Sequence, residues 1–337
     1  MIKSNKLIIL TGAGFTKNFN GFLATEMWSK IFNDPRIQQN KKLKELLQSD
    51  QDYESIYHKI LNGPEYSYDE KTTLKEVVES VYKKLDDSVR AWNFNDGNPA
   101  ALDTYKLYSE LFGLLNNGVL ESGLFFTLNQ DIFVERWWGW RSPGVPYFDQ
   151  NFYATHGAEF TKEDYRQLPS DDIENAITKY FENNYGIVYI KLHGSFGWKS
   201  SNGENQMVIG KNKKADIENE PILKEYFKIF ENAIKEGYKK LLIIGYGFGD
   251  AHINKIILEG VEKYNLKLYI ISPKTPEEFR KQMEGRPNNE STLWAPSENS
   301  KIWKAISGYF PYTLREIFPP NQEGSTHIQE IKTSLLN

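Results

Sequence analysis

Four short polar or glycine-rich motifs each follow a run of apolar residues, and together they hold the residues that could perform chemistry. In chain order they are Leu10–Thr16 (LTGAGFT), Thr127–Asp131 (TLNQD), Lys191–Ser195 (KLHGS) and Gly245–Asp250 (GYGFGD). Histidine changes its charge near neutral pH, so His193 is the natural candidate for a general base. Asn129 and Asp131 would both line one crevice if the chain is extended there.

The glycines suggest close contact between the backbone and a ligand. Gly12 and Gly14 allow a tight turn and let backbone N–H groups approach a pyrophosphate with no Cβ in the way. The third glycine of the common dinucleotide fingerprint is missing, and Asn18 stands at about its place. The three glycines of Gly245–Asp250 predict a second such approach.

Each motif also has a purely structural interpretation. Asn129–Asp131 could be a helix cap or turn, His193 could be a core histidine bonded to backbone, and the glycines could simply serve sharp turns. Taken singly, each motif is better explained in this way. Their joint placement favours a ligand site, because ligands of open α/β sheets bind outside the carboxyl ends of strands, and all four motifs lie there.

Five nearly continuous apolar runs must position these motifs, and they predict parallel strands buried on both faces. The runs are residues 6–11, 123–127, 187–192, 240–244 and 267–271. Helical patterns separate them: residues 222–234 follow the 3.6-residue period with Gly237 as the stop, and Thr275 to Glu278 form an N-cap, a first-turn proline and a capping box. This alternation predicts an α/β fold with a Rossmann-like, doubly wound parallel sheet.

A helical insertion is expected within the first crossover, because about residues 22–120 are far more than one crossover helix needs. Thr73 and Glu76 suggest a capping box ahead of a helical apolar series. The predicted organisation is a catalytic domain of residues 1–275, with an inserted helical module at about 34–120, and a C-terminal extension of residues 276–337 packed on the core. The module should lie beside the cleft, and residues 139–170 should form a lid or binding loop.

Composition narrows the function classes. The 337 residues are 39% apolar and 26% charged, with 20 Tyr, 20 Phe and 8 Trp, which is the composition of a globular protein. The net charge of −4 does not suggest binding to nucleic acid or to an anionic membrane. There is no cysteine, so disulfides, thiol nucleophiles and cysteine-based zinc sites are excluded. No apolar run suggests a signal peptide or membrane span, and a cytoplasmic location is expected.

The order GAG, TxNxD, HG and GxGF resembles the sirtuin family, and more closely its bacterial SIR2-like branch found in antiviral defence systems. The resemblance covers about residues 6–272 apart from the helical insertion. It implies a sirtuin-like fold that binds NAD. It implies catalytic roles for Asn129, His193 and Asp131, and cofactor contacts from Gly12, Ala13, Gly14, Thr16, Thr127, Gly245, Gly247, Phe248 and Ser272. Ser272 stands where sirtuins commonly have Asn near the adenosine ribose.

Departures from the family pattern favour hydrolysis over deacylation. Deacylating sirtuins carry a four-cysteine zinc module, which this chain cannot build. The Asp-Phe-Arg segment that follows the first glycine turn is replaced by Asn18–Trp28, and nothing marks a groove for an acyl-lysine peptide. The resemblance therefore implies an NAD glycohydrolase that uses NAD as its substrate and no metal. The alternatives are a catalytically silent sensor of NAD or ADP-ribose and a zinc-free protein deacylase.

The expected reaction cleaves the bond between nicotinamide and ribose. Nicotinamide leaves from a cationic ring, so it needs no general acid, unlike the leaving group of an ordinary glycosidase. Asn129 would position water and ribose, Asp131 would bind the nicotinamide half, and His193 would act as base or hydrogen-bond partner at a ribose hydroxyl.

Regulation is expected, because an uncontrolled NADase would kill its host. Homo-oligomerisation or a partner protein would supply it. The resembling defence systems pair such subunits with a helicase-like ATPase, a nucleotide-processing enzyme or an Argonaute-like protein.

Overall fold

The computed structural model describes residues 4–91, 102, 104–115, 122–137, 159, 161–183, 186–201, 217–285, 297–320 and 325–336. The strands are β1 Ser4–Thr11, β2 Ser122–Thr127, β3 Arg166–Gln167, β4 Ile187–Lys191, β5 Trp198–Lys199, β6 Lys240–Ile244, β7 Lys267–Ile271 and β8 Ile306–Phe310. The helices are α1 Ala13–Lys17, α2 Ala24–Phe32, α3 Pro35–Gln39, α4 Lys41–Ser49, α5 Tyr53–Asn62, α6 Tyr68–Arg90, α7 Thr104–Leu115, α8 Phe133–Trp137, α9 Ile173–Asn183, α10 Pro221–Lys235, α11 Ala251–Lys263, α12 Pro276–Glu284, α13 Glu298–Lys304, α14 Leu314–Ile317 and α15 Thr326–Leu336.

Six parallel strands form the main sheet in the order β4-β2-β1-β6-β7-β8. From β1 the chain winds outward through β2 to β4, then returns to the other side of β1 and winds through β6 and β7 to β8. The strand order therefore reverses between β1 and β6, which is the topological switch point of a doubly wound sheet. The predicted Rossmann-like α/β fold is confirmed.

The carboxyl ends of the strands are level. Lys191, Thr127, Thr11 and Ile244 are register partners in successive strands, and Ile271 continues the row. Each of the four motifs begins at one of the first four of these residues or one position away from it. The register of the strands alone therefore brings the motifs to one edge of the sheet. β3 and β5 form a separate two-stranded sheet.

The core explains why the strands read as continuous apolar runs. Helices cover both faces of the sheet, and Ile8, Ile9 and Leu10 of β1 are completely buried. The five predicted strands are confirmed, but β8 was missed, because its sequence ISGYF contains serine and glycine and is only partly buried. β8 follows residue 275 and still pairs with β7, so the C-terminal segment contributes to the sheet. The domain boundary itself stays a prediction.

The described residues of the first crossover are mostly helical, as predicted for residues 22–120. The start assigned to its longest helix was wrong: Ser67 and Glu70, not Thr73 and Glu76, form the capping box of α6. The helix begins six residues earlier because the apolar series marks only its buried face. The predicted stop at Gly237 and the N-cap at Thr275 are confirmed.

The long crossover is anchored beside the second strand. Arg136 of α8 donates two hydrogen bonds, at 2.9 and 2.8 Å, to the carboxylate of Asp86 in α6, and both side chains are buried. Ser88 of α6 donates to the carbonyl of Asn20, which follows the first glycine turn. Helix α6 therefore packs against the segments that follow β1 and β2. Residues 139–158 and 160 of the predicted lid lie outside the described residues.

Within the part of the chain that the structure describes, no helix combines the length and the apolar character that a membrane crossing requires.

Candidate functional site

The two glycine loops at the switch point pack against each other. Gly12 N–H donates to the carbonyl of Ile244 at 3.0 Å, and Gly14 N–H donates to the carbonyl of Gly245 at 2.9 Å. A Cβ on Gly14 would lie 2.8 Å from Cα of Gly245, and one on Gly245 would lie 2.2 Å from the nitrogen of Phe15. The glycines are thus required for loop-to-loop contact, and the Gly12 and Gly14 amides already serve it. This differs from the predicted reason, which was approach to a pyrophosphate.

Asn129 holds the first glycine turn from the end of the neighbouring strand. Its amide nitrogen donates to the carbonyl of Gly12 at 3.0 Å and to Oγ1 of Thr16 at 2.8 Å. Both amide hydrogens are therefore used. Its Oδ1 has no hydrogen-bond partner among the described residues, and so it remains an acceptor for a water or a hydroxyl.

Two threonines extend this arrangement across the sheet. The Thr11 hydroxyl donates to the Thr127 hydroxyl at 2.9 Å, and Thr127 in turn accepts the backbone N–H of Asn129 at 3.1 Å. Both threonines are buried at the level carboxyl ends of β1 and β2. The predicted contact residue Thr127 therefore positions Asn129 rather than standing alone.

Asp131 occupies a helix-capping position. Its Oδ1 accepts the N–H of Phe133 at 3.0 Å, at the start of α8, so the interpretation as a cap describes what the side chain does here. Its backbone carbonyl accepts a hydrogen bond from Lys191 Nζ. A role for Asp131 toward nicotinamide stays a prediction.

A buried ion pair lies behind this loop. Lys191 Nζ is 2.8 Å from Oε1 of Glu135, with both side chains almost fully buried. Oε2 of Glu135 has no hydrogen-bond partner among the described residues. Burial raises the pKa of Glu135, although the neighbouring Lys191 charge acts in the opposite direction. The pair fixes the end of β4 at Lys191, two residues before His193.

His193 meets a second histidine that the sequence reasoning missed. Its Nε2 lies 3.0 Å from Nε2 of His252, in the first turn of α11, and the ring centroids are 5.2 Å apart. His193 is 2% exposed. Gln130 Nε2 donates to the backbone carbonyl of His193 at 3.3 Å, which connects the motif at the end of β4 to the motif at the end of β2.

Two buried asparagine side chains hold the second glycine loop. Phe248 has a left-handed backbone (φ 54°), and its carbonyl accepts hydrogen bonds from the side chains of Asn254 and Asn299. Its ring is buried against Tyr246 and Phe279. The side chain of Phe248 is therefore part of the core, and only the backbone of this loop is placed for ligand contact.

The remaining predicted contact residues lie along the same edge. Ala13 is exposed at the start of α1, and Gly247 is half-buried in the second loop. Ser272 is buried directly after β7, where its N–H donates to the carbonyl of Phe310 at 3.2 Å. Gly245 N–H donates to the carbonyl of Ile271, so Ser272 lies next to the second glycine loop.

One group of side chains in the described residues has the composition of a metal site. His193, Asp250 and His252 each offer a ligand atom, and these atoms lie within 4.8 Å of one another. Both imidazoles and a carboxylate suit first-row transition metals. The absence of a metal from the reaction therefore stays a prediction.

Two signals could have located the missed residues. His252 follows Asp250 at a helix start just after a glycine loop, in the stretch GYGFGDAH, two residues beyond the quoted motif. Asn254 lies one turn of helix after Asp250, where a side-chain amide can donate to the backbone of the second glycine loop. Asn299 carries no local signal, because it reaches this loop only through the packing of α13.

Comparison with known proteins gives a family for the central part of the chain. The sequence model of the SIR2-like domain family matches residues 124–291, which include Asn129, His193 and His252. No curated protein matches the chain. The SIR2-like family uses NAD and includes NAD-dependent enzymes, so the match indicates NAD-related activity. The resemblance to a SIR2-like domain is confirmed at this level, and the assignment to the antiviral NADase branch stays a prediction.

Proposed function

Proceeding from a SIR2-like domain at residues 124–291, we propose that this protein is an NAD glycohydrolase. It cleaves the bond between C1′ of the ribose and the nicotinamide nitrogen. The observation that carries the proposal is the pair of buried polar side chains at adjacent strand ends, Asn129 after β2 and His193 after β4, beside the topological switch point. Open α/β sheets bind ligands at that edge.

The proposed step consumes one water. The water oxygen forms a bond to C1′, the bond from C1′ to nicotinamide breaks, and its electron pair neutralises the pyridinium ring. The products are nicotinamide, ADP-ribose and one proton. Asn129 suits the positioning of the water or ribose, because its Oδ1 remains an acceptor once its amide hydrogens hold the glycine turn. His193 takes the proton or orders a ribose hydroxyl, a contribution of about 10²–10⁴-fold.

Hydrolysis is favoured over deacylation by the composition of the whole chain. A chain with no cysteine cannot build the four-cysteine zinc module of deacylating sirtuins. A pure sensor of NAD or ADP-ribose would not require an imidazole pair at the ribose. As part of the same proposal, the enzyme acts as the regulated NAD-depleting effector of an antiphage system, controlled through self-association or one of the partner classes named above.

The test is incubation of the full chain with NAD alone, with and without an acyl-lysine peptide, followed by chromatography of nicotinamide and ADP-ribose. The chain is assayed purified and as the complex recovered from its native host. We expect nicotinamide and ADP-ribose in equal amounts without peptide, and a rate lower on the order of 10²-fold or more from His193→Ala. The matched control is His327→Ala, which removes a partly exposed histidine stacked on Tyr312. Turnover only with peptide would indicate a deacylase, and binding without turnover in both preparations would indicate a sensor.

A further inference from the structure

The histidine pair at the candidate site has a geometry that serves a metal ion as well as a proton. The two Nε2 atoms lie 3.0 Å apart, and the ring planes are tilted by 40°. A ring nitrogen that accepts a hydrogen bond carries an unprotonated lone pair, which is also the form of imidazole that binds metals. A carboxylate oxygen of Asp250 and one ring nitrogen of each histidine lie within 4.8 Å of one another.

The two histidines are positioned by structure outside the group. His193 is followed by Gly194, whose left-handed backbone (φ 72°) turns the chain sharply after β4. The ring of His252 stacks on Phe227 of α10, with centroids 5.6 Å apart and planes at 29°. These contacts bring an edge strand and the helix after β6 together, and they order the two rings before any ligand arrives.

The carboxylate of Asp250 is not used by the helix that it precedes. Asp250 stands at the N-cap of α11, yet its side chain makes no capping hydrogen bond. Aspartate at this position usually accepts a backbone N–H of the first turn. Here the position places a negative charge beside two imidazoles instead.

We propose that a divalent transition-metal ion of the Zn²⁺ class binds between Nε2 of His193, Nε2 of His252 and a carboxylate oxygen of Asp250. For zinc–nitrogen bonds of about 2.0–2.1 Å in tetrahedral geometry, the two nitrogens stand about 3.3 Å apart, so the rings need to separate by only about 0.3 Å. The proton between the rings moves to the other nitrogen of its own imidazole. Three protein ligands leave one position open to water.

The ion competes with the chemistry assigned to His193. A metal on Nε2 removes that nitrogen as a base, so Zn²⁺ binding lowers NAD turnover; this consequence rests on the proposed function. Imidazole and carboxylate ligands select zinc, cobalt or nickel over Mg²⁺ and Ca²⁺, which prefer sites made entirely of oxygen ligands. Metal binding is thus a means of keeping this active site off.

The experiment measures metal binding on the full chain, without a histidine tag and without NAD. Zn²⁺ is titrated by calorimetry, and Co²⁺ is followed by its visible absorption, with Mg²⁺ as the negative ion. We expect one Zn²⁺ per chain, a Co²⁺ spectrum of low coordination number, and a higher Tm in Zn²⁺ by mass action. Asp250→Asn and His252→Gln should each weaken Zn²⁺ binding at least tenfold.

The matched control is His58→Gln with His327→Gln, which removes two other histidines and should leave Zn²⁺ binding unchanged. Far-UV circular dichroism checks that each variant is folded, and the mild Asp250→Asn change keeps the test usable if a histidine variant unfolds. The proposal would be overturned if the wild type did not bind Zn²⁺. It would also be overturned if the folded Asp250→Asn and His252→Gln variants bound Zn²⁺ as tightly as the wild type. NAD turnover is measured separately on the metal-free chain, so a chain that binds Zn²⁺ but does not hydrolyse NAD when metal-free contradicts the proposed function alone.

Discussion

Asn129 and His193 occupy equivalent places at the ends of adjacent strands, yet their surroundings differ. Asn129 donates both amide hydrogens to the first glycine turn, to Gly12 and Thr16, so only its Oδ1 can accept a hydrogen bond from a ligand. His193 places Nε2 at 3.0 Å from Nε2 of a second imidazole, that of His252. Asn129 therefore has a structural role in the described residues, whereas His193 is the candidate for proton chemistry.

The two surroundings also differ in charge. Neutral hydroxyl and amide groups from β1 and β2 surround Asn129. The end of β4 has a buried ion pair beneath it, formed by Lys191 and Glu135. Substitutions at the two places should therefore separate into effects on turnover and effects on stability, and the predictions below test that separation.

The largest effect confined to NAD turnover is expected from His193→Ala. Loss of a general base should lower NAD turnover on the order of 10²-fold or more, while NAD binding weakens far less, because the glycine loops remain. Turnover per folded molecule and Tm are measured on one preparation. A destabilised variant with nearly normal turnover would show that His193 is a core histidine.

Asn129→Ala should affect both quantities. It removes the donors to Gly12 and Thr16, and an abandoned buried acceptor costs about 1–3 kcal/mol of unfolding free energy. It also removes Oδ1, so NAD turnover should be abolished. Chemical denaturation gives the first effect, and nicotinamide release by the remaining folded protein gives the second. Wild-type turnover in the folded variant would exclude Asn129 from the mechanism and leave it only its structural role.

The sequence alone predicted the parallel sheet and the edge of the sheet that carries the motifs, because both depend on local patterns. Apolar runs such as residues 240–244 identify strands, and the residues that follow them must share one edge in a parallel sheet. That argument placed Asn129 and His193 correctly. It could not choose between a capping and a ligand-binding Asp131, because one carboxylate suits both and only the start of α8 decides.

Contacts between distant segments were out of reach for the same reason. His193 and His252 are 59 residues apart in sequence, and their contact depends on how α11 packs beside α10. The buried ring of Phe248 follows from a left-handed backbone at a non-glycine residue, which no sequence pattern announces. The edge strand β8 was hidden by its serine and glycine.

Thr127→Val should give a smaller effect on the Asn129 side. It removes the acceptor of the Asn129 N–H and the partner of the Thr11 hydroxyl, while keeping the shape of the side chain. We expect a loss of about 1 kcal/mol in stability, which is the net value of an ordinary hydrogen bond, and a modest fall in turnover. Equilibrium denaturation measures the first. A variant as stable as the wild type would mean that the threonine pair does not support Asn129.

The smallest effect concerns the dependence of stability on pH, and it should belong to the His193 side alone. Burial raises the pKa of Glu135 above its usual 4.5. Between 4.5 and this higher value the native state holds a proton that the unfolded chain has released, so the stability from this group is complete below pH 4.5 and declines as pH rises through that window.

The double variant Glu135→Gln with Lys191→Met removes the titration without leaving an unpaired buried charge. Its unfolding free energy, measured by denaturant at several pH values, should rise relative to the wild type as pH increases above 4.5, whereas Thr127→Val should run parallel to the wild type. Parallel curves for the double variant as well would mean that Glu135 stays ionised in the folded protein, held by Lys191, and that the two sides of the site do not differ in charge response.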